Sequence, residues 1–213
     1  MSSCSSKSND CCSNGAGYAS PKEAMKAPRE TILFVPCIYS GTPVDASDYL
    51  ATIDADPNSS TYAQVIHRTE IGVSGVELHH SGWNSCSSCF GKPGAPSRNR
   101  LVLPAIVSGD VFVFDTSNPR KPTLHKHVKS SDIIEKADGL QWLHSTHCLA
   151  DGNIMISAMG DKDGEARGGF VLLNQDFDVV GTWQSKDSVG APNMGYDYWY
   201  NLRSGIMVSS EWG

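Results

Sequence analysis

ATIDADPNSS (51–60), VFVFDTSNPR (111–120) and VLLNQDFD (171–178) each run a short apolar stretch into an Asp or Asn and then into a turn. Asp54, Asp115 and Asn174 mark the same point in the three segments and are separated by 61 and 59 residues. Such a regular return is an internal repeat, and finding it comes before any element-by-element reading.

Further short runs surround each copy. TILFVPCIY, DYLATIDAD and AQVIHRTE form a first group, RLVLPAIV, GDVFVFDT and PTLHKHVK a second, and NIMISAMGD, GGFVLLNQ and VVGTWQ a third. β-Branched and aromatic runs punctuated by Gly, Asp, Asn, Ser and Pro are the pattern of antiparallel strands joined by tight turns. Each group reads as one propeller blade. Propeller repeats usually run about 40–50 residues, so the longer period here predicts added loops, chiefly NSCSSCFGKPGAPSRNR at 84–100. One more strand opens the second group (ELHHSGW) and the third (QWLHSTHCLA), while GYDYWYNLRSG precedes a last run, IMVSSEWG. The expected fold is therefore all-β, a β-propeller fragment of about three blades plus the start of a fourth. Propellers close with about four to eight blades, so this ring is expected to stay open, with uncovered faces and an unpaired edge. Residues 1–18, rich in Ser, Gly, Cys and Asn, read as a flexible tail carrying Cys4, Cys11 and Cys12, and 19–213 as the propeller part. PKEAMKAPRE (21–30) is limited to a turn or two of helix by Pro28.

Composition narrows the function. The 213-residue chain is 39% hydrophobic, enough for a packed core. A net charge of -6 without a basic block argues against a nucleic-acid backbone as partner, because neutralising phosphates takes clustered Lys and Arg. No run approaches the roughly 20 apolar residues of a transmembrane helix, and MSSCSSKSNDCCSNG has no apolar secretory stretch, so a cytosolic address is expected. The seven cysteines are odd in number and unevenly spread, and a reducing compartment disfavours a disulfide framework.

The repeat groups the histidines. His79 and His80 open the second blade where His144 and His147 open the third. Taken singly, each imidazole reads as a hydrogen-bonded core or channel residue. Taken together on inner strands, they are expected to converge, and neutral imidazoles suit Cu, Zn, Fe or Ni, whereas calcium would want carboxylates that these strands are expected to lack. Adjacent strand residues point to opposite faces, so His79 and His80 share one ion only if a bulge or turn intervenes, for which Gly82 is a candidate. His67, His125 and His127 fall on outer strands and read as ordinary packing or surface residues.

Cys86 and Cys89 form a Cys-x-x-C pair in the long loop. Three readings stand: structural thiols, reactive or ligand-binding thiols, or half of a zinc site. No second Cys-x-x-C completes a zinc set, and the all-β pattern lacks the strand-to-helix setting of a thioredoxin-like dithiol. The loop is polar, so both thiols are expected to be accessible, whereas Cys37 and Cys148 lie in apolar strand sequence and read as buried packing residues. DKDGEARGG (161–169) lacks calcium-loop spacing and reads as a solvated hairpin. Tyr196, Tyr198, Trp199 and Tyr200 read as an aromatic strand packed between blades.

ELHHSGWNSCSSCFG (77–91) closely resembles the selenium-binding protein family, the methanethiol oxidases. GYASPKEAMKAPRE, DYLATIDADPNSSTYAQVIHR, RLVLPAIVSGDVFVFD, LHSTHCLADGNIMISAMGD, GGFVLL and GYDYWY extend the resemblance, in order, from Gly17 onward. It implies a seven-bladed propeller about twice this length, of which this chain looks like the N-terminal half. It also implies oxidation of methanethiol by dioxygen to formaldehyde, hydrogen sulfide and hydrogen peroxide. Copper is the implied cofactor, with His79, His80 and His147 as ligands and His144 alongside as a secondary candidate. Selenium is also implied, but where some animal members carry the cysteine proposed to hold it this chain has Ala63, leaving Cys86 and Cys89 as the nearest substitutes. The partners implied are a small thiol and dioxygen. A chain lacking the remaining blades is expected to be inactive by itself. The rival reading is a non-enzymatic selenium- or thiol-binding scaffold for protein partners, cytosolic with nuclear or peripheral-membrane placement, which would need no metal.

Overall fold

A computed structural model describes residues 17–91, 93–185, 193–201 and 204–212. The expected tail, 1–18, lies almost wholly outside the described residues. The strands follow the sequence groups. β1 (Ile32–Cys37), β2 (Ser47–Asp54) and β3 (Val65–Ser74) make a three-stranded sheet. β4 (Gly82–Trp83), β5 (Arg100–Pro104), β6 (Val111–Asp115) and β7 (Thr123–Val128) make a four-stranded one. β8 (Leu140–Cys148), β9 (Ile154–Asp161), β10 (Gly169–Leu173) and β11 (Val179–Thr182) make a second, and β12 (Gly195–Asn201) with β13 (Ile206–Glu211) a hairpin. Every pairing is antiparallel between chain neighbours, as in propeller blades. The fold is all-β, three blades and the opening hairpin of a fourth, and the described sheets do not close into a ring.

The repeat has a physical cause. Asp54 Oδ1 accepts the Asp56 amide, Asp115 Oδ1 the Ser117 amide and Asn174 Oδ1 the Asp176 amide, at 2.8–3.0 Å. Each carboxylate or carboxamide closes the turn that follows its strand, β2, β6 or β10, by mimicking a backbone acceptor. Asp54 does more: its Oδ2 accepts from Ser59 and Thr61 and pairs with Arg120 of the next blade at 3.1 Å. Those donors hold its carboxyl well below the usual carboxylate range.

Apolar strand faces pack between blades. Leu50, Ile71, Leu103, Phe112 and Phe114 fill the space between the first two sheets. Val102, Val113, Leu143, Ile156, Val171 and Leu173 do so between the second and third, and Met155, Phe170 and Tyr198 join the third to the hairpin. The blades also meet through β4 and β5 against β8, and through β8 and β9 against β12. One approach requires a glycine: a Cβ on Gly82 would stand 2.3 Å from the Thr146 carbonyl oxygen, so only Gly lets β4 lie this close to β8.

Two helices interrupt the strands. α1 (Pro21–Ala24) is the single turn that Pro28 allows, capped by Ser20. α2 (Ser130–Lys136) was not anticipated; Asp110 accepts its first amide and Ile133 buries itself between blades. Among the described residues no helix is long and apolar enough to cross a membrane.

Candidate metal centre

The histidine cluster is built by two local irregularities. Leu78 bridges Ala105, and the His79 amide donates to the Pro104 carbonyl at 3.0 Å, but regular pairing resumes only at Gly82. Between these points the alternation of a strand is suspended, so His79 and His80 turn to the same side, ring centroids 5.1 Å apart. The preceding Glu77 sits at φ 59, a left-handed conformation that re-aims the chain. On β8 the register slips between Leu143 and Thr146, which pair with Ala158 and Ile156. That bulge carries His144 and Ser145, and the Ser145 amide donates to Ser157 Oγ instead of to the ladder.

These features bring the rings of His79 and His80 to 4.8 and 4.2 Å from that of His144. One ligand nitrogen from each of the three lies within 4.8 Å of the others. His144 is fully buried, His79 half-buried and His80 exposed, so the cluster has one open side. His144 Nδ1 contacts Ser145 Oγ at 3.0 Å, while its buried Nε2 has no hydrogen-bond partner. A buried imidazole with one unpartnered nitrogen, its ring beside two other imidazoles, is an arrangement a cation would satisfy.

His147 is not in that triad. Its ring lies edge-on to Tyr198 and Trp199, at 4.9 and 4.7 Å, and senses both His80 and Cys86 electrostatically. Burial, and then repulsion from His80 and His79, pulls His144 down to about 4. Burial also lowers His79, with His80 adding to it, and lowers His147 against the opposing pull of Asp197. All three are therefore neutral, metal-competent imidazoles near neutral pH.

Carboxylates are nearer than the sequence reading allowed. Asp197, on β12, stays below its ordinary value although burial pushes it up, because Ser145, the Tyr198 amide, His147 and His80 favour its charged form. Glu77 Oε1 is 3.9 Å from His79 Nδ1 and its Oε2 accepts from Ser40 Oγ at 2.7 Å. Sequence alone singles out neither: Glu77 lies two residues before His79, whereas Asp197 lies in the aromatic GYDYWY run, 50 residues after His147. Tyr196 lies over His144 at 3.8 Å and is met edge-on by Trp212 at 4.9 Å. Trp199 is exposed, but Tyr198 is buried against Phe170, the interblade role expected of this strand.

The Cys-x-x-C loop corrects an expectation. Cys86 is half-buried and Cys89 fully buried, because the loop folds back in a 3-10 turn (Ser87–Cys89) onto the core between the second and third sheets. Cys89 Sγ donates to the Leu149 carbonyl at 3.3 Å. Polarity of the loop misled: its backbone turns on polar residues while its cysteines serve as small apolar plugs. Cys148 is buried as expected, whereas Cys37 is only half-buried. Ala63 occupies a turn between β2 and β3 at φ 61. His67 lies on β3, and His125 and His127 on β7, the outer strands expected of them; His127 stacks on Phe112 at 4.4 Å.

Residues 12–213 match the family of the 56 kDa selenium binding protein. The chain is 52% identical to the methanethiol oxidase of Rattus norvegicus over 204 residues, 95% of this chain and 42% of that one. It is 49% identical to selenium-binding protein 3 of Arabidopsis thaliana, over 96% and 42% of the two chains. The X-ray structure of a hypothetical selenium-binding protein from Sulfolobus tokodaii superposes with a TM-score of 0.84 at 38% identity, covering 92% of this chain and 43% of that one. The chain thus spans less than half the length of the relatives it matches.

Proposed function

The chain belongs to the selenium-binding protein family, and on that premise we propose that its histidine cluster is the copper site of a methanethiol oxidase. The observation that carries the proposal is the convergence of one ring nitrogen each from His79, His80 and His144 within 4.8 Å, on a buried His144 whose Nε2 has no hydrogen-bond partner. His79, His80 and His144 would hold the ion, and His147 stands beside them as a further nitrogen donor. Copper supports this chemistry where zinc does not, because it cycles between two oxidation states and can pass electrons to dioxygen.

The chain's own residues do the rest. The neutral imidazoles of His79 and His144 leave their lone pairs for the metal without first shedding protons. The half-open side at His80 admits a small thiol, and Tyr196 and Trp212 supply an aromatic wall against which a methylthio group packs. Asp197, ionised and coupled electrostatically to His147 and His80, adds negative charge that favours a cation at the histidines. The proposed reaction turns methanethiol, dioxygen and water into formaldehyde, hydrogen sulfide and hydrogen peroxide. Its setting is proposed to be the cytosol, with the propeller beginning at about residue 19 and protein partners meeting its outer faces.

The test is dioxygen uptake by a copper-loaded chain of the relatives' full length that carries this segment, given methanethiol, with formaldehyde and sulfide measured together. His80→Ala and His144→Ala should each abolish product. Turnover unchanged in both variants would place the chemistry elsewhere.

A further inference from the structure

Cys86, Cys89 and Cys148 come from two segments 59 or more residues apart, yet share one patch of core between the second and third sheets. All three are thiols. They differ in access and in occupation. Cys86 is the half-exposed member, Cys89 and Cys148 are buried, and Cys89 Sγ is engaged by the Leu149 carbonyl. Cys86 packs against the core cluster that holds Cys89 and Cys148, and its thiol, with burial, pushes the Cys148 thiol well up. The sulfur that an oxidant can reach thus lies beside a buried sulfur from another strand. The sequence motif suggests a different pair.

We propose that Cys86 and Cys148, rather than the Cys-x-x-C pair, form a peroxide-sensitive dithiol that closes into a disulfide beside the histidine cluster. Hydrogen peroxide oxidises the Cys86 thiol to a sulfenic acid and one oxygen leaves as water. The Cys148 sulfur then attacks Cys86 sulfur, the S–O bond breaks, an S–S bond forms, and a second water carries away the Cys148 proton. In total two thiols and one peroxide become one disulfide and two waters. Cys89 remains a thiol because its sulfur is buried and already donates to Leu149. The location gives the bond a consequence: Cys148 follows His147 directly, and Cys86 is close enough to influence that imidazole. A disulfide here fastens the 84–91 loop to β8 at the edge of the proposed copper site, where peroxide would be made. The dithiol stands on the thiol geometry alone and does not depend on that site.

The full chain is treated with hydrogen peroxide, remaining thiols are blocked by alkylation, and peptides are mapped by mass spectrometry. The expected product is a Cys86–Cys148 peptide pair lighter by two hydrogens, with Cys89 alkylated. Cys89→Ser should still form it, and Cys148→Ser should leave Cys86 as a sulfenic acid captured by dimedone. Met25, which is 88% exposed, reports by its sulfoxide that oxidant acted. A Cys86–Cys89 bond, or Cys86 and Cys148 both still thiols in a sample whose Met25 is oxidised, overturns the proposal; should Cys148→Ser not fold, the wild-type map and Cys89→Ser decide.

Discussion

His80 and His144 stand 64 residues apart in the sequence and 4.2 Å apart, centroid to centroid, in the fold. Nothing local enforces that approach. It results from β4 lying against β8, which in turn depends on the bare backbone of Gly82 beside the Thr146 carbonyl.

Gly82→Ala therefore tests the frame of the site. The added methyl must displace backbone, so β4 and β8 should separate at a cost of about 1–3 kcal/mol, the range for overpacked sites. Metal affinity should fall by about 10–100-fold, as when groups that orient ligands are lost. Thermal melts and copper titration of the variant check both; an unchanged melt with unchanged affinity would mean that the blades do not meet as described.

Acid should destabilise the metal-free protein in a specific window. Above the ordinary imidazole value of 6.5 both folded and unfolded chains hold these histidines neutral. As pH falls, the unfolded chain takes up protons first, while burial keeps His144 neutral down to about 4 and holds His79 and His147 below their ordinary value. Stability is then lost progressively from pH 6.5 toward about 4, before most carboxylates protonate. Melting temperatures across that range should slope downward, and His144→Phe should flatten the slope.

Native alkylation should label Cys86 and Cys37 ahead of Cys89 and Cys148, because the first two are half-buried and the last two almost wholly enclosed. Labelling of Cys89 as fast as Cys86 would show that the loop stands away from the core.

Much of this architecture was legible in the sequence because a repeat multiplies weak signals. One Asp before a turn says little, but Asp54, Asp115 and Asn174 at nearly equal spacing indicate the same turn three times, and the structure shows each closing it. The histidines were grouped for the same reason. What stayed hidden was their division. Period-two reasoning cannot place a bulge, so it could not say that the slip between Leu143 and Thr146 would aim His144 at His79 and His80 while His147 turned toward Tyr198 and Trp199. Asp197 and Glu77 were missed because their roles arise from contacts between blades. Burial of Cys89 was missed because loop composition says nothing about what a loop folds back upon.

Residues 1–213 expressed alone should associate. Trp199, Ile206, Val208 and Trp212 are 53–69% exposed on the β12–β13 hairpin, an apolar surface of the kind that draws a partner chain. Size measured in solution should exceed a monomer and fall toward one when Val208 and Ile206 are changed to Lys. A monomer in the unaltered chain would count against this surface being sticky.

Copper bound by the His79, His80 and His144 triad is the central claim, and electron paramagnetic resonance of the Cu(II)-loaded protein tests it most directly. One copper per chain with nitrogen superhyperfine structure is predicted, lost when all three histidines are replaced by Ala and weakened by each single replacement. Stoichiometric copper with the same nitrogen signature after the triple replacement would contradict it.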